Sequence, residues 1–186
     1  MADVVPSHGH SLVFWVDGSV TPGIGLGGAA CVAEEHGIYV MHDNRKVFAR
    51  GIDLGSGEVE LAAIVLAQVL ISTLDDEARA RACVVTDSLQ ALAEWWSHTR
   101  YRGGAPVFHS DRDHRPVAYQ YAHYLANTAR RGAGSMQPCD FWKSCGASFP
   151  VDLVEPEAGE LRQTSKERRL ERDDESASLP AFCRRI

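Results

Sequence analysis

Apolar residues fall in short blocks along the first half of the chain. Ser11–Asp17 (SLVFWVD) is an apolar run closed by Gly18 and Ser19, and Gly27–Ala33 (GGAACVA) begins a second after the turn-rich TPGIGLGG. This pattern predicts a β-hairpin. Gly37–Arg50 mixes apolar and charged residues as a half-exposed strand does, and Gly51–Gly57 loops out with three glycines. Glu58–Leu74 (EVELAAIVLAQVLISTL) is apolar on nearly all sides, which at this length predicts a helix packed deep on a sheet. Asp75–Arg81 has the charge alternation of an exposed loop. Ala82–Thr86 (ACVVT) then predicts a strand ending at Asp87, and Ser88–Trp96 (SLQALAEWW) a helix leaving it.

The second half is more polar. His98–Arg115 reads as irregular, whereas Pro116–Arg131 (PVAYQYAHYLANTARR) opens on a proline suited to a first helical turn and closes at Gly132. Gly132–Gly146 reads as a loop, Ser148–Val154 (SFPVDLV) as the last strand, Glu155–Lys166 as a charged connection and Glu167–Leu179 as a final helix stopped by Pro180. The expected architecture is α/β: a mixed five-stranded sheet, three antiparallel strands followed by parallel ones, with helices on both faces. Residues 1–10 would be a flexible tail, 11–179 one domain and 180–186 a C-terminal tail. In such sheets, sites collect at the carboxyl ends of central strands.

Composition narrows the class. A hydrophobic fraction of 45% and a charged fraction of 24% are near globular averages. No apolar run approaches the roughly 20 residues of a bilayer span, and Met1–His10 lacks the pattern of a secretory signal, so an intracellular protein of cytoplasm or nucleus is expected. Five cysteines (31, 83, 139, 145 and 183) are odd in number, and the first two sit in predicted strands, which points to buried free thiols in a reducing compartment. Cys139 and Cys145 with His123 upstream fit no common zinc spacing. The formal net charge of −6 disfavours a tight stand-alone nucleic-acid binder, although a carboxylate-lined metal site contributes negative charge that bound cations neutralise.

Three acidic residues stand out. Asp17 ends an apolar strand, Glu60 opens a buried helix and Asp87 ends a second apolar strand. Singly, each has an ordinary explanation: a turn aspartate, a first-turn glutamate favoured by the helix dipole, and a helix cap. Together, if the first and fourth strands are neighbours, they converge. Clustered carboxylates repel one another and cost stability unless a cation is bound, and an all-oxygen ligand set selects Mg²⁺ or Mn²⁺ over zinc. Two such ions suit hydrolysis of a phosphodiester.

The segments FWVDGSVTPGIGLGGAACV, GEVELAAIVLAQVL and VVTDSLQAL resemble, in order and spacing, the DG[ST]…GG, MEL.A and TDS elements of the type 1 ribonuclease H family, across about Leu12–Trp95. The resemblance implies an endonuclease cutting the RNA strand of RNA–DNA hybrids with two Mg²⁺ ions (Mn²⁺ as alternative), held by Asp17, Glu60 and Asp87. Glu58 competes with Glu60 but lacks the apolar and small residues that follow Glu60. LERDDESASL resembles the family's NER.DELA and makes Asp174 the fourth carboxylate, with Asp173 one residue out of register. VDLVEP would then be the fifth strand. The family's histidine after that strand has no counterpart in Glu155–Lys166, and Ser56 and Gly57 stand where an asparagine pair usually helps read the hybrid's sugars. Substrate contacts are expected at Gly18, Ser19 and Ser88, at the amides of Gly23–Gly28, and at phosphates through Arg168 and Arg172 within the basic run from Arg162. Trp95 and Trp96 with His98, Arg100, Tyr101 and Arg102 form either a grip on the DNA strand or, for the aromatics, part of the core. The same motifs resemble ribonuclease H domains of retroelement polyproteins, which implies a reverse transcriptase or other nucleic-acid-binding domain as partner. A resolvase- or integrase-like nuclease of the same fold and a non-catalytic interaction scaffold are the competing readings.

Overall fold

The computed structural model describes residues 10–48, 54–97, 104–110 and 116–148. All of these belong to the first of two compact units, Met1–Val151. Its elements are β1 (Leu12–Thr21), β2 (Leu26–Glu35), β3 (Ile38–Phe48), α1 (Ser56–Ser72), α2 (Asp76–Arg81), β4 (Ala82–Thr86), α3 (Leu89–Ser97), β5 (Val107–His109), α4 (Val117–Arg131) and α5 (Pro138–Ser144).

The strands form one mixed sheet in the order β3-β2-β1-β4-β5. The β1–β2 and β2–β3 pairs are antiparallel, and β4 runs parallel to both β1 and β5. The β1–β2 hairpin turns where Gly23 and Gly25 take positive φ, the backbone region glycine enters without steric cost.

Alternation along β1 sorts its side chains between two cores. Leu12, Phe14 and Val16 point to the face covered by α1 and α3, where they meet Ala63, Ile64, Ala67 and Trp95. The opposite face carries α4 and α5: Ala30 and Val32 of β2 pack against Ala122, Leu125, Ala126 and Trp142, with Trp15 at the margin. Small residues let both helices approach closely. A Cβ on Gly28 would fall 2.2 Å from the Ala126 carbonyl oxygen on α4, and one on Gly27 would fall 2.8 Å from the Val59 side chain on α1. Sandwiched in this way, β2 is buried from Gly27 to Ala33. Among the described residues, no helix is long and apolar enough to cross a membrane.

Several sequence expectations are corrected. β1 does not stop at Asp17; Gly18 and Ser19 continue the strand opposite Ala29 and Gly28. The fifth strand of the described sheet is Val107–His109, inside the stretch read as irregular; of the expected Ser148–Val154, the residues beyond Ser148 fall outside the described ones. A three-residue strand held by a parallel neighbour is too short to show a periodicity. Asp76–Arg81 is a helix capped by the Asp75 side chain, which accepts from the Ala78 N–H, and Pro138–Ser144 is a helix with proline in its first turn.

Candidate metal centre

Parallel pairing of β1 with β4 matches Leu12 to Ala82 and continues to Trp15 opposite Val85. The same offset carried two residues further sets Asp17 beside Asp87. Asp17 therefore lies at the carboxyl end of the β1–β4 ladder while still paired to Ala30 of β2. Directly after Asp87 the chain turns into α3: the Ser88 N–H donates to Thr86 Oγ1 (3.1 Å), and Ser88 Oγ accepts from the Ala91 N–H (3.2 Å). These bonds fix the backbone on both sides of Asp87.

Glu60 arrives from the start of α1, and Gly18 admits it. A Cβ at Gly18 would sit 2.6 Å from the Glu60 backbone nitrogen and 2.7 Å from the Val59 carbonyl carbon. Only a residue without a side chain lets the helix start come so near the strand. Glu60 is buried and joins Asp17 and Asp87, whereas Glu58 is exposed. One carboxylate oxygen from each of Asp17, Glu60 and Asp87 lies within 4.8 Å of the others, with Asp17 and Glu60 buried and Asp87 half-buried.

The fourth wall is α4. Tyr119 Oη donates to Asp17 Oδ1 (3.0 Å), and one helical turn later His123 Nδ1 lies 3.0 Å from Asp17 Oδ2. Burial, followed by the charges of Asp17 and Asp87, pushes the Tyr119 phenol far above its usual range, so it stays a proton donor. The line continues along the helix: Ser19 Oγ donates to Asn127 Oδ1 (2.9 Å), and the Arg130 guanidinium donates to Thr21 Oγ1. Alternate β1 residues Asp17, Ser19 and Thr21 thus meet Tyr119, His123, Asn127 and Arg130 on one stripe of α4. The sequence reading weighed His123 only beside Cys139 and Cys145 and passed over Tyr119, Asn127 and Arg130. Their spacing of four, four and three, which sets them on one face of the helix, was the available signal.

The remaining expected site residues divide. Gly18 serves the approach of α1, Ser19 is tied to Asn127, and Ser88 caps α3. Trp95 closes the core at 4% exposure, while Trp96 is 58% exposed. Asp173, Asp174, Arg168 and Arg172 lie outside the described residues, as do His98, Arg100, Tyr101 and Arg102. Cys31 and Cys83 are buried free thiols, pushed up to about 12 chiefly by burial. His123 faces Asp17, so it does not join Cys139 and Cys145 in a zinc site.

No protein-family model matches the chain, and no curated protein sequence does. Among solved structures, the chain is similar to a foamy viral protease-reverse transcriptase in complex with dsDNA, at 14% identity over 67% of this chain and 96% of that chain, TM-score 0.47. It is also similar to a ribonuclease H1 from compost in complex with an RNA/DNA hybrid, at 15% identity over 65% of this chain and 97% of that one, TM-score 0.47. A third is the N-terminal ribonuclease H domain of a Mycobacterium tuberculosis protein, fused to maltose-binding protein, at 18% identity over 65% of this chain and 94% of that one, TM-score 0.43. The observed sheet, antiparallel from β3 to β1 and parallel from β1 to β5 with helices on both faces, is the mixed five-stranded α/β architecture expected from the sequence.

Proposed function

We propose that the chain is a divalent-cation-dependent endonuclease that hydrolyses the RNA strand of RNA–DNA hybrids, with Asp17, Glu60 and Asp87 as metal-holding carboxylates. The observation that carries this reading is the meeting of three carboxylates, from β1, α1 and the end of β4, within 4.8 Å. The core does not need them there, and uncompensated they repel. Burying a side chain such as Phe14 or Ile64 contributes roughly 2 kcal/mol, so a core of this extent can carry the repulsion of one such cluster. The donor set is oxygen from carboxylates, which fits Mg²⁺ or Mn²⁺.

When bound, such ions neutralise the cluster and lower the pKa of coordinated water, the chemistry that phosphodiester hydrolysis requires. The chain's own residues prepare the place. Asp17 is held through both oxygens by α4, Asp87 is fixed by the turn into α3, and Glu60 is set by the contact at Gly18. Support for the hybrid as substrate comes from the DGS, VELAA and TDS motifs. The basic residues Arg168 and Arg172 and the carboxylate of Asp174 belong to the same reading, as phosphate contacts and an additional ligand.

The test is hydrolysis of labelled RNA–DNA hybrid, duplex DNA, a four-way junction and single-stranded RNA, each with and without Mg²⁺ or Mn²⁺. Cation-dependent cutting confined to the RNA of the hybrid is expected. Cutting of the junction or of duplex DNA instead would assign a resolvase-like activity. No cutting together with no cation-dependent rise in melting temperature would leave an interaction scaffold.

A further inference from the structure

We infer that Lys46, Arg130 and Arg131, gathered where α4 ends over β2 and β3, form a landing for the phosphate backbone of a nucleic-acid strand that passes the metal centre. The inference rests on a nucleic acid being the substrate, as proposed above, and adds a surface distinct from the expected contacts at Arg168 and Arg172.

Glycine brings the three cations together. Lys46 of β3 pairs with Gly28 of β2, and a Cβ on Gly28 would fall 2.5 Å from the Arg130 backbone nitrogen, so the last turn of α4 comes down beside Lys46 only because that position is bare. Arg130 and Arg131 occupy this turn, and Gly132, which ends it, would carry a Cβ 3.4 Å from Lys46 Nζ. Lys46 and Arg131 are exposed, and the Lys46 ammonium lies over a ring, 5.5 Å from the Phe48 centroid. Among the described residues none of the three cations has a carboxylate partner, although the chain carries 25 Asp and Glu against 19 Lys and Arg. Arg45, next to Lys46, is by contrast paired with Asp43 at 2.9 Å. The carbonyl end of a helix favours cations, which accounts for basic residues here but not for the aim of Arg130. Its guanidinium turns to β1: Nη1 donates to Thr21 Oγ1 and Nη2 to Asn127 Oδ1 (3.2 Å). These bonds fix the fork and leave its other Nη N–H groups for an anion.

The cluster lies within reach of a strand held at the carboxylates. Thr21 is about 13 Å along β1 from Asp17 at the usual strand rise, the axial length of about four base pairs. Between them Ser19 and Asn127 are neutral and hydrogen-bonded to each other, and among the described residues of the stripe no acid follows Asp17. A polyanion that approaches three clustered carboxylates is repelled, and cations set to one side offset that repulsion. Phosphate contacts of this kind carry affinity and register without sequence preference.

The experiment titrates a labelled RNA–DNA hybrid with the full chain, free of divalent cations, across a salt series read by fluorescence anisotropy, with melting temperatures to check folding. The double variant Lys46→Gln, Arg131→Gln, whose side chains are exposed, should melt as the wild type does and bind the hybrid more weakly at low salt. Between about 50 and 200 mM salt the wild type should lose about tenfold more affinity than this variant, the effect of two phosphate contacts. Arg45→Gln removes a charge that is already paired, so its salt dependence should match the wild type. Equal salt slopes in wild type and double variant, or no binding of the hybrid by the wild type, would overturn the assignment. A loss in Arg45→Gln as large per charge as in the double variant would overturn it too, because net charge alone would then explain the binding. Cleavage in the presence of Mg²⁺ separates this surface from the nuclease reading. Equal slopes in proteins that cut the hybrid would sink the surface alone, and a reduced slope in the variant of a chain that never cuts would sink the nuclease reading alone.

Discussion

Asp87 and Gly18 show how differently single residues serve one site. Asp87 contributes charge at the end of β4, where the Thr86 and Ser88 bonds hold the backbone without its side chain. Asp87→Asn should therefore abolish cation-dependent hydrolysis while leaving the melting temperature of the metal-free protein equal or higher, because one of three repelling charges is gone. A variant that melts lower yet still cuts would contradict the assignment. Gly18 contributes absence of a side chain. Gly18→Ala places a methyl 2.6 Å from the Glu60 backbone nitrogen, so α1 must shift, at a cost of about 1–3 kcal/mol in denaturant unfolding. Since Glu60 moves with α1, cation affinity should fall too. At this scale the three carboxylates were legible in the sequence, two as acids ending apolar strands and one as the acid opening a buried helix, whereas the purpose of Gly18 was not: it read as a turn residue and a substrate contact, and only the neighbouring helix shows what it avoids.

At the scale of elements, α4 decides most. It lies over β1, β2 and β3 and brings Tyr119 and His123 to Asp17. Its outer flank is locked by an aromatic cluster in which Tyr121 meets Phe141 at 4.9 Å and Trp142 at 5.4 Å between ring centroids, with Tyr39 of β3 6.0 Å from Trp142. The Tyr121 hydroxyl donates to the Met136 carbonyl, and the Met136 N–H donates to the Tyr124 hydroxyl, tying down the connection to α5. Truncating Trp142, 3% exposed, to Ala should cost about 3–5 kcal/mol in unfolding free energy. Because the stripe facing β1 is a different side of α4, the affinity for Mn²⁺ should change far less than stability does. Calorimetry on the folded variant checks this. The long elements β1 to β3, α1, β4, α3 and α4 were legible from periodicity within a few residues. β5, α2 and α5, of three, six and seven residues, were not, because each is shorter than the repeat needed to show a pattern and forms only against a neighbour.

For the whole molecule, the buried thiols and the acidic cluster set opposite responses to solution conditions. Cys31 and Cys83, raised from 9.0 to about 12, keep their protons longer in the folded than in the unfolded chain. The folded state then binds more protons, so the stability they contribute is complete below pH 9.0 and is lost as pH rises toward 12. Urea midpoints measured across alkaline pH should decline, and the double variant Cys31→Ala, Cys83→Ala should decline less steeply. Divalent cations act the other way, stabilising by mass action: at a concentration about a hundred times Kd the gain is about 2.7 kcal/mol. Heating with and without Mg²⁺ measures it, and Asp87→Asn should remove most of the gain.

The sequence by itself determined the local properties: which stretches are apolar, which repeat every second or every third to fourth residue, and which acids interrupt them. Those follow from the chain's own periodicity and chemistry. Only the tertiary structure decided that Asp17 continues within a strand, that the fifth strand is Val107–His109, and that α4 stands over the carboxylates. These depend on contacts between segments up to about a hundred residues apart, such as His123 with Asp17, and no local pattern encodes which distant neighbour a side chain will meet.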